Sequence, residues 1–191
     1  MDALDLLEQQ HLELSALMAR IAAEPSPGLR TAMVAQLSRM IDAHVRIEET
    51  YLYPVCAERM AGDRKPLHDA YEKHGLARFA ADNLLRTRVT DVRFEARLRL
   101  LRDVFAHHAD EEEGILFPKA KRGLTDEQLD VIGSDLERAY EVLLRVGVPA
   151  GVPLVRSQRG WPRRGTHTLR ALRPMSRRRG EGPPRPRVLS R

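Results

Sequence analysis

The sequence has a single cysteine, few aromatic residues and no long apolar run. Cys56 is the one cysteine among 191 residues, so no disulfide can form within the chain and nothing indicates an oxidising compartment. No run approaches the roughly 20 apolar residues of a membrane-spanning helix. The first residues also lack the basic and apolar regions of a signal peptide. We therefore expect a cytoplasmic protein without a membrane segment.

Charge is distributed unevenly along the chain. Hydrophobic residues make up 42% and charged residues 31%, as in ordinary globular proteins. Residues 147–191 hold twelve arginines against one acid, Glu181, for a net charge of +11; because the whole chain carries +5, residues 1–146 carry −6. The sequence predicts an acidic folded body and a disordered basic tail, 147–191, in which arginine, proline and glycine dominate.

The basic tail has two interpretations. Twelve arginines would release many counterions on a phosphate backbone, so the tail is compatible with binding nucleic acid or an acidic partner. It lacks, however, the interleaved aromatic residues of single-strand binders. A solvated extension without an essential role, or an artefact of the reading frame, is the favoured interpretation.

Apolar residues recur at helical spacing in five segments, separated by clusters of proline, glycine and turn-forming residues. The predicted helices cover residues 2–22, 29–54, 67–88, 92–117 and 125–145. Thr90 or Asp91 would cap the fourth helix, and Thr125 with Gln128 forms a capping box for the fifth. Pro54 should kink or end the second helix.

Short connections make successive helices antiparallel neighbours. The fold prediction is therefore an all-α, up-down-up-down antiparallel four-helix bundle over residues 1–122. A short accessory helix follows within 123–146, and the tail completes the chain.

A histidine and a glutamate four residues apart occur twice, as His44-x-x-x-Glu48 and His108-x-x-x-Glu112, which places each pair on one helix face. Residues 34–54 align with residues 98–118 at an offset of 64, with leucine, histidine, glutamate and proline at matching positions. At an offset of 63, His11 in the first helix pairs with His74 in the third. The chain thus contains two similar helical hairpins.

Counting residues from each turn at 1.5 Å per residue places the four histidines in one layer, roughly 17 to 26 Å from the turns. The candidate metal ligands are His11, His44, Glu48, His74, His108 and Glu112. No lysine or arginine lies on the inward faces, and burying two uncompensated carboxylates costs several kcal/mol per ion. A bound cation would compensate them.

The type of ligand indicates the type of metal. Nitrogen and oxygen donors without a thiolate favour iron, manganese or zinc, and two carboxylates that can bridge favour two ions. Six side chains cannot saturate two six-coordinate ions. Bridging solvent and open positions for dioxygen, peroxide or nitric oxide are therefore expected.

His107 with Glu111 forms a competing pair at the same spacing. The repeat favours His108, because His108 and Glu112 precede Pro118 by the same distances as His44 and Glu48 precede Pro54, whereas His107 aligns with an alanine. We interpret His107 as a residue on the flank of the helix.

These motifs resemble those of the hemerythrin-like proteins with an HHE cation-binding domain. The resemblance covers about residues 2–120 and rests on the order H, HxxxE, H, HxxxE, with Tyr-Pro or Phe-Pro after each HxxxE. It implies a non-heme di-iron centre bridged by oxo, hydroxo or water. Its terminal ligands would be His11, His44, His74 and His108, and its bridging ligands Glu48 and Glu112.

The chain departs from the oxygen-carrying hemerythrins at Arg78, where those proteins have a fifth histidine one turn after the third-helix ligand. The missing histidine leaves a position for water or an exogenous ligand and puts simple oxygen carriage in doubt. His68, Tyr71 or His107 could take its place.

Three functions follow from these observations. The leading hypothesis is a di-iron protein that binds or senses oxygen, nitric oxide or iron, with a small diatomic ligand as its partner and without turnover as its main role. The second is an enzyme that acts on peroxide or oxygen. The third is a metal-independent interaction bundle with a nucleic-acid-binding tail.

Overall fold

The computed structural model describes residues 1–59 and 63–146, in which every regular element is a helix. The long α-helices and two shorter ones are α1 (Ala3–Ala23), α2 (Pro27–Ile47), α3 (Tyr53–Arg59), α4 (Lys65–Leu85), α5 (Phe94–Glu111), α6 (Phe117–Gly123) and α7 (Asp126–Val146). Two π-helical turns, π1 (Glu48–Leu52) and π2 (Glu112–Leu116), join α2 to α3 and α5 to α6. The all-α prediction is confirmed, while the predicted tail lies outside the described residues.

Helices α1, α2, α4 and α5 form the predicted bundle, in which α1 and α4 each pack against both α2 and α5. Arg30 ties the first turn to the start of α5, because its Nε donates to the Ile21 carbonyl at 2.9 Å and its Nη2 to Glu95 Oε1 at 2.6 Å. The first and third turns therefore lie at the same end, as the up-down-up-down order requires. Within the described ranges, no helix is both long and apolar enough to cross a membrane.

The two prolines do not end their helices. Pro54 and Pro118 each follow a π turn by one residue, and the α-helical pattern then resumes. The Tyr53 amide donates to the carbonyl of Glu48, five residues back, and the Phe117 amide does the same to Glu112. A wider turn ahead of proline accommodates the missing amide hydrogen and the bulk of the ring.

The fourth bundle helix begins two residues later than the sequence predicts, at Phe94 rather than Val92. Asp91 is not its cap, since its carboxylate accepts from the Arg93 amide at 2.9 Å within the preceding turn. The capping box at the start of α7 is present. The Thr125 amide donates to Gln128 Oε1 at 3.0 Å, and the Gln128 amide donates to Thr125 Oγ1 at 3.3 Å.

Two apolar clusters fill the bundle, one on each side of the histidine layer. The first, at the α7 end, includes Leu7, Leu52, Ala70, Leu116 and Leu136. The second, at the opposite end, includes Leu14, Ile41, Ala81, Leu101 and Phe105. On each bundle helix the candidate ligands lie between residues of the two clusters, so that apolar packing excludes water from above and below.

Cys56 belongs to the first apolar cluster and is fully buried. Burial, together with the negative charge of Glu112, raises the pKa of its thiol to about 12. The side chain is therefore a small core residue without thiolate reactivity at neutral pH.

Helix α7 has 21 residues, as many as α1, and it packs against α1 and α2 at the end where the chain begins. Gly133 permits this contact. A Cβ at Gly133 would lie 2.7 Å from the Met1 carbonyl oxygen and 2.9 Å from the Ala3 nitrogen, both of which are backbone atoms. A larger residue would therefore push α7 away from α1.

Gly133→Ala is expected to lower the free energy of unfolding by about 1–3 kcal/mol through this overpacking. Urea denaturation measures the change. Gly75→Ala in α4 is the matched control, because a Cβ there meets nothing within 4 Å. The control should be neutral or stabilising by up to about 1 kcal/mol. Equal losses in both variants would contradict the close approach of α7 to α1.

Candidate metal centre

The candidate centre is a buried polar layer to which each bundle helix contributes. α1 supplies His11 and α4 supplies His74, while α2 and α5 supply the remaining histidines near their C-terminal ends. Each glutamate of the repeated motif is the first residue of a π turn. All six candidate ligands have at most 2% of their surface exposed: His11, His44, Glu48, His74, His108 and Glu112.

Two imidazole nitrogens approach each carboxylate. The Nε2 atoms of His44 and His74 lie 3.5 and 3.1 Å from Glu48 Oε2. The Nε2 atoms of His11 and His108 lie 3.4 and 3.5 Å from Glu112 Oε2. One donor atom from each residue except His74 falls within 4.8 Å of all the others: His11, His44, Glu48, His108 and Glu112. His74 joins this group through its short distance to Glu48.

Most of these donor atoms have no hydrogen-bond partner, although buried polar atoms in proteins are almost always paired. The unpaired atoms at the centre are His11 Nε2, His44 Nε2, His108 Nε2, both oxygens of Glu48, and Glu112 Oε2. They are Lewis-basic atoms directed at one another across a few ångströms. The residues present therefore fit a bound cation.

The outward nitrogens of three histidines are held by acceptors. His44 Nδ1 donates to Gln10 Oε1 at 2.9 Å, and His11 Nδ1 donates to Glu113 Oε1 at 2.8 Å. His74 Nδ1 donates to a carboxylate at 3.0 Å. Such bonds fix the imidazole orientation and leave Nε2 free to bind a metal. The acceptor for His74 is Glu49, which occupies the same position in the first hairpin as Glu113 does in the second. Each of these glutamates therefore orients the lone histidine of the other hairpin.

Arg78 lies behind this support and does not enter the layer. Its Nη1 donates to both oxygens of Glu49, at 3.1 and 3.3 Å, and its Nε lies 3.7 Å from Asp42 Oδ1. The residue at the position of the missing fifth histidine thus acts on His74 indirectly, by holding the carboxylate that orients it.

Tyr53 is a buried polar residue of the layer that the sequence interpretation did not include among the candidate ligands. Its hydroxyl donates to Glu112 Oε1 and lies 3.0 Å from His74 Nε2. Its ring stacks on His74 at a centroid distance of 5.2 Å, as the ring of Phe117 stacks on His11 at 6.1 Å. Tyr53 aligns with Phe117 in the repeat. This difference, a hydroxyl at position 53 and none at 117, could have indicated from the sequence that Tyr53 has a polar role.

The other candidates for completing the site lie further out. The His107 side chain is 66% exposed, and its Nε2 lies 3.1 Å from Glu111 Oε1. His68 is exposed on α4. Tyr71 is half-buried and packs edge-on against Tyr53 at a centroid distance of 5.0 Å. Of the two adjacent histidines, the one that the repeat selected, His108, is the one inside the bundle.

Protonation of the metal-free layer is strongly perturbed. Burial lowers the pKa of His108 to about 3, and burial with the nearby imidazoles lowers that of His44. Burial alone would also lower the pKa of His11 and His74, but the carboxylates beside them outweigh it and raise both to about 9. Burial, and then the charge of Glu112, raise the pKa of Glu48 to about 8. A metal ion must displace the protons that these residues hold at neutral pH.

One cleft, of about 270 Å³, reaches this layer from the surface. It lies between the start of α4 and the π2 turn, and its walls include His108 and Glu112. A small solute in this cleft would thus lie beside one edge of the layer, whereas the apolar clusters pack above and below the layer.

The comparisons with known proteins agree with this geometry. The model of a family described as the hemerythrin HHE cation-binding domain matches residues 2–120. The chain belongs to this family. The hemerythrin resemblance inferred from the sequence is therefore confirmed, and the named domain binds cations.

A solved structure shares the hemerythrin fold of this chain. It is a hemerythrin HHE cation-binding domain-containing protein from Mycobacterium kansasii, with 26% sequence identity and a TM-score of 0.68. The match covers 76% of this chain and 89% of that protein. None of the curated proteins compared with the chain matches it.

Proposed function

We propose that this protein binds two iron ions in the histidine layer and presents them to a small diatomic ligand, oxygen or nitric oxide, as a binding or sensing protein. The observation that carries the proposal is the set of buried donor atoms without hydrogen-bond partners. Four imidazoles and two carboxylates suit iron among the common metals, and two shared carboxylates suit a pair of ions.

The chain's own residues would perform three tasks at this centre. His11, His44, His74 and His108 would hold the ions terminally, with Glu48 and Glu112 shared between them. Phe105 and Phe117 contact the His11 ring, at 5.7 and 6.1 Å, and exclude water. Bound iron would supply a Lewis acid and a one-electron redox couple.

Tyr53 would provide a further oxygen donor where a fifth histidine is missing. Its hydroxyl already touches one candidate nitrogen, His74 Nε2, and one candidate oxygen, Glu112 Oε1. Without metal, burial and the neighbouring carboxylates raise the pKa of its phenol. An adjacent cation would act in the opposite direction and favour the phenolate.

The proposal is tested with protein loaded anaerobically with iron. We expect about two ferrous ions per chain by metal analysis, and a saturable change in the absorption spectrum on titration with nitric oxide or oxygen. Zinc-loaded protein is the control, because zinc occupies nitrogen and oxygen sites but has no redox chemistry. Iron below one per chain, or a spectrum unchanged by either gas, would rule the proposal out.

Tyr53→Phe gives a separate prediction, since it copies the residue that the second repeat carries at this position. The variant should keep its iron but lose the visible absorption that a phenolate bound to ferric iron produces. Tyr71→Phe removes a neighbouring phenol hydroxyl and should leave the spectrum unchanged. Identical spectra for the wild type and Tyr53→Phe would show that Tyr53 does not bind the metal.

A second function, an enzyme acting on peroxide or oxygen, is favoured by the same tyrosine, because a buried phenol beside a redox metal can supply an electron and a proton. Steady turnover of peroxide by the iron-loaded protein, lost in His108→Ala, would support this alternative over binding or sensing.

The third hypothesis, an interaction bundle that works through its tail, remains a prediction. This hypothesis requires that deletion of residues 147–191 abolish function while His44→Ala does not. Under our proposal the outcomes are reversed, because the tail contributes no candidate ligand. The cytoplasmic location also remains a prediction.

A further inference from the structure

The cleft that reaches the centre is lined by three pairs of lysine and carboxylate. Lys65 pairs with Asp69 and Lys119 with Asp63 at exposed positions near the mouth. The third pair lies deeper, where Lys73 contacts Glu111. The mouth is therefore neutral overall, and the inner lysine is the cation next to the candidate ligands.

Lys73 marks a difference between the two repeats. It occupies the position that Gln10 holds in the first hairpin, directly before the lone histidine. Gln10 accepts a hydrogen bond from His44 Nδ1. The corresponding atom in the second hairpin, His108 Nδ1, has no partner, because a lysine side chain offers no acceptor oxygen.

Two buried hydrogen-bond donors thus belong to the inner wall of one cleft. His108 Nδ1 is shielded from solvent and makes no hydrogen bond. Lys73 Nζ is also shielded from solvent, and its ion pair with Glu111 leaves N–H groups of the ammonium to spare. Glu111 contacts Lys73 through Oε2, and its other oxygen, Oε1, lies 3.1 Å from His107 Nε2. Leaving such donors unsatisfied costs free energy, and a small acceptor with negative charge would satisfy both.

We propose that the inner end of this cleft binds a small oxyanion, held by Lys73 Nζ and His108 Nδ1 beside Glu112. The inference rests on the proposed function, because a metal on His108 Nε2 fixes the imidazole hydrogen on Nδ1. It goes beyond that function in assigning an anionic class of ligand, of the size of formate or bicarbonate, to a site next to the metals.

Two substitutions at charged residues of the cleft are expected to change the oxyanion affinity in opposite directions. Lys73→Gln removes the cation and supplies His108 with the internal acceptor that His44 already has. It should weaken oxyanion binding by about tenfold or more, the loss expected for one charge-assisted hydrogen bond. Glu111→Gln removes the competing carboxylate and should tighten binding by severalfold. A purely structural role for Lys73 and Glu111 would not produce opposite changes.

The test is calorimetric titration of the iron-loaded full chain with sodium formate at low chloride concentration. Lys65→Gln is the matched control, because Lys65 lines the same cleft but its side chain is 81% exposed. We expect saturable binding to the wild type, an unchanged affinity in the control, and the two opposite shifts described above. Equal affinities for the wild type and Lys73→Gln, or no saturable binding to the wild type, would overturn the proposal.

The iron content of each sample separates this proposal from the proposed function. Lys73-dependent formate binding in a chain that holds no iron would support the anion site and refute the di-iron function. Two irons per chain without Lys73-dependent binding would refute the anion site alone.

Discussion

His108→Ala is expected to lose at least one of the two metal ions, whereas His107→Ala is expected to keep both. The two histidines are adjacent in α5 and each precedes a glutamate by four residues, so the substitutions are chemically identical. Only His108 is buried, and its Nε2 lies 3.5 Å from Glu112 Oε2. The exposed His107 pairs with Glu111 at the surface. Removing one nitrogen donor from a four-histidine site should lower metal affinity by orders of magnitude.

The measurement is metal per chain after dialysis against a weak chelator, with circular dichroism to show that both variants remain helical. His107→Ala serves as the internal control for protein concentration, helix propensity and handling. If both variants kept two ions, or if both lost them, the assignment of His108 as the ligand would be wrong.

Glu48→Gln is expected to have the second large effect. The substitution should raise the free energy of unfolding of the metal-free chain and should abolish metal binding. The pKa of Glu48 rises on folding from 4.5 to about 8, so at pH 7 the metal-free chain must take up a proton when it folds. This uptake lowers the stability of the metal-free chain progressively as the pH rises from 4.5 to 7. Glutamine has the shape of the protonated glutamate and avoids that cost, but it cannot bridge two cations.

The pH dependence has a definite sign. Because the folded-state pKa is the higher one, the contribution of Glu48 to stability is fully present below pH 4.5 and is lost as the pH rises towards 8. The advantage of metal-free Glu48→Gln should thus be large at pH 7 and disappear near pH 4. Urea denaturation in the presence of a chelator measures it.

Glu49→Gln, at the next residue, is the control, and it is expected to change the stability of the metal-free chain in the opposite direction. Burial opposes ionisation of Glu49, but its bonds to His74 and Arg78 outweigh burial and lower the pKa of this carboxyl. Its charge is therefore stabilising, and removing it should lower stability. A metal-free Glu48→Gln variant less stable than the wild type at pH 7 would contradict the account of Glu48 as a carboxylate buried for the metal.

Much of the fold followed from local patterns. The apolar periodicity and the turn clusters located all four bundle helices, and counting residues from the turns placed His11, His44, His74 and His108 at one level. Those inferences succeeded because the length of a helix and the direction of its faces depend on nearby residues alone. The choice of His108 over His107 likewise followed from register within the repeat.

The π turns were beyond this reasoning, and so was the role of Tyr53. With ordinary α-helical spacing, Leu52 would lie one turn above Glu48, but the wider turn places Tyr53 there, as the bond from its amide to the Glu48 carbonyl shows. No local propensity specifies a π turn, since it is a compromise between the proline and the packing of the layer. The contacts of Lys73 and Arg78 were also hidden, because they depend on how neighbouring helices rotate against each other.

The central claim is that two metal ions lie between the four histidines and the two glutamates. X-ray diffraction from crystals of the iron-loaded protein, measured on both sides of the iron absorption edge, tests it directly. We expect two anomalous peaks inside the bundle, each within bonding distance of two histidine nitrogens and both beside Glu48 and Glu112. A single peak, or peaks outside this layer, would contradict the claim.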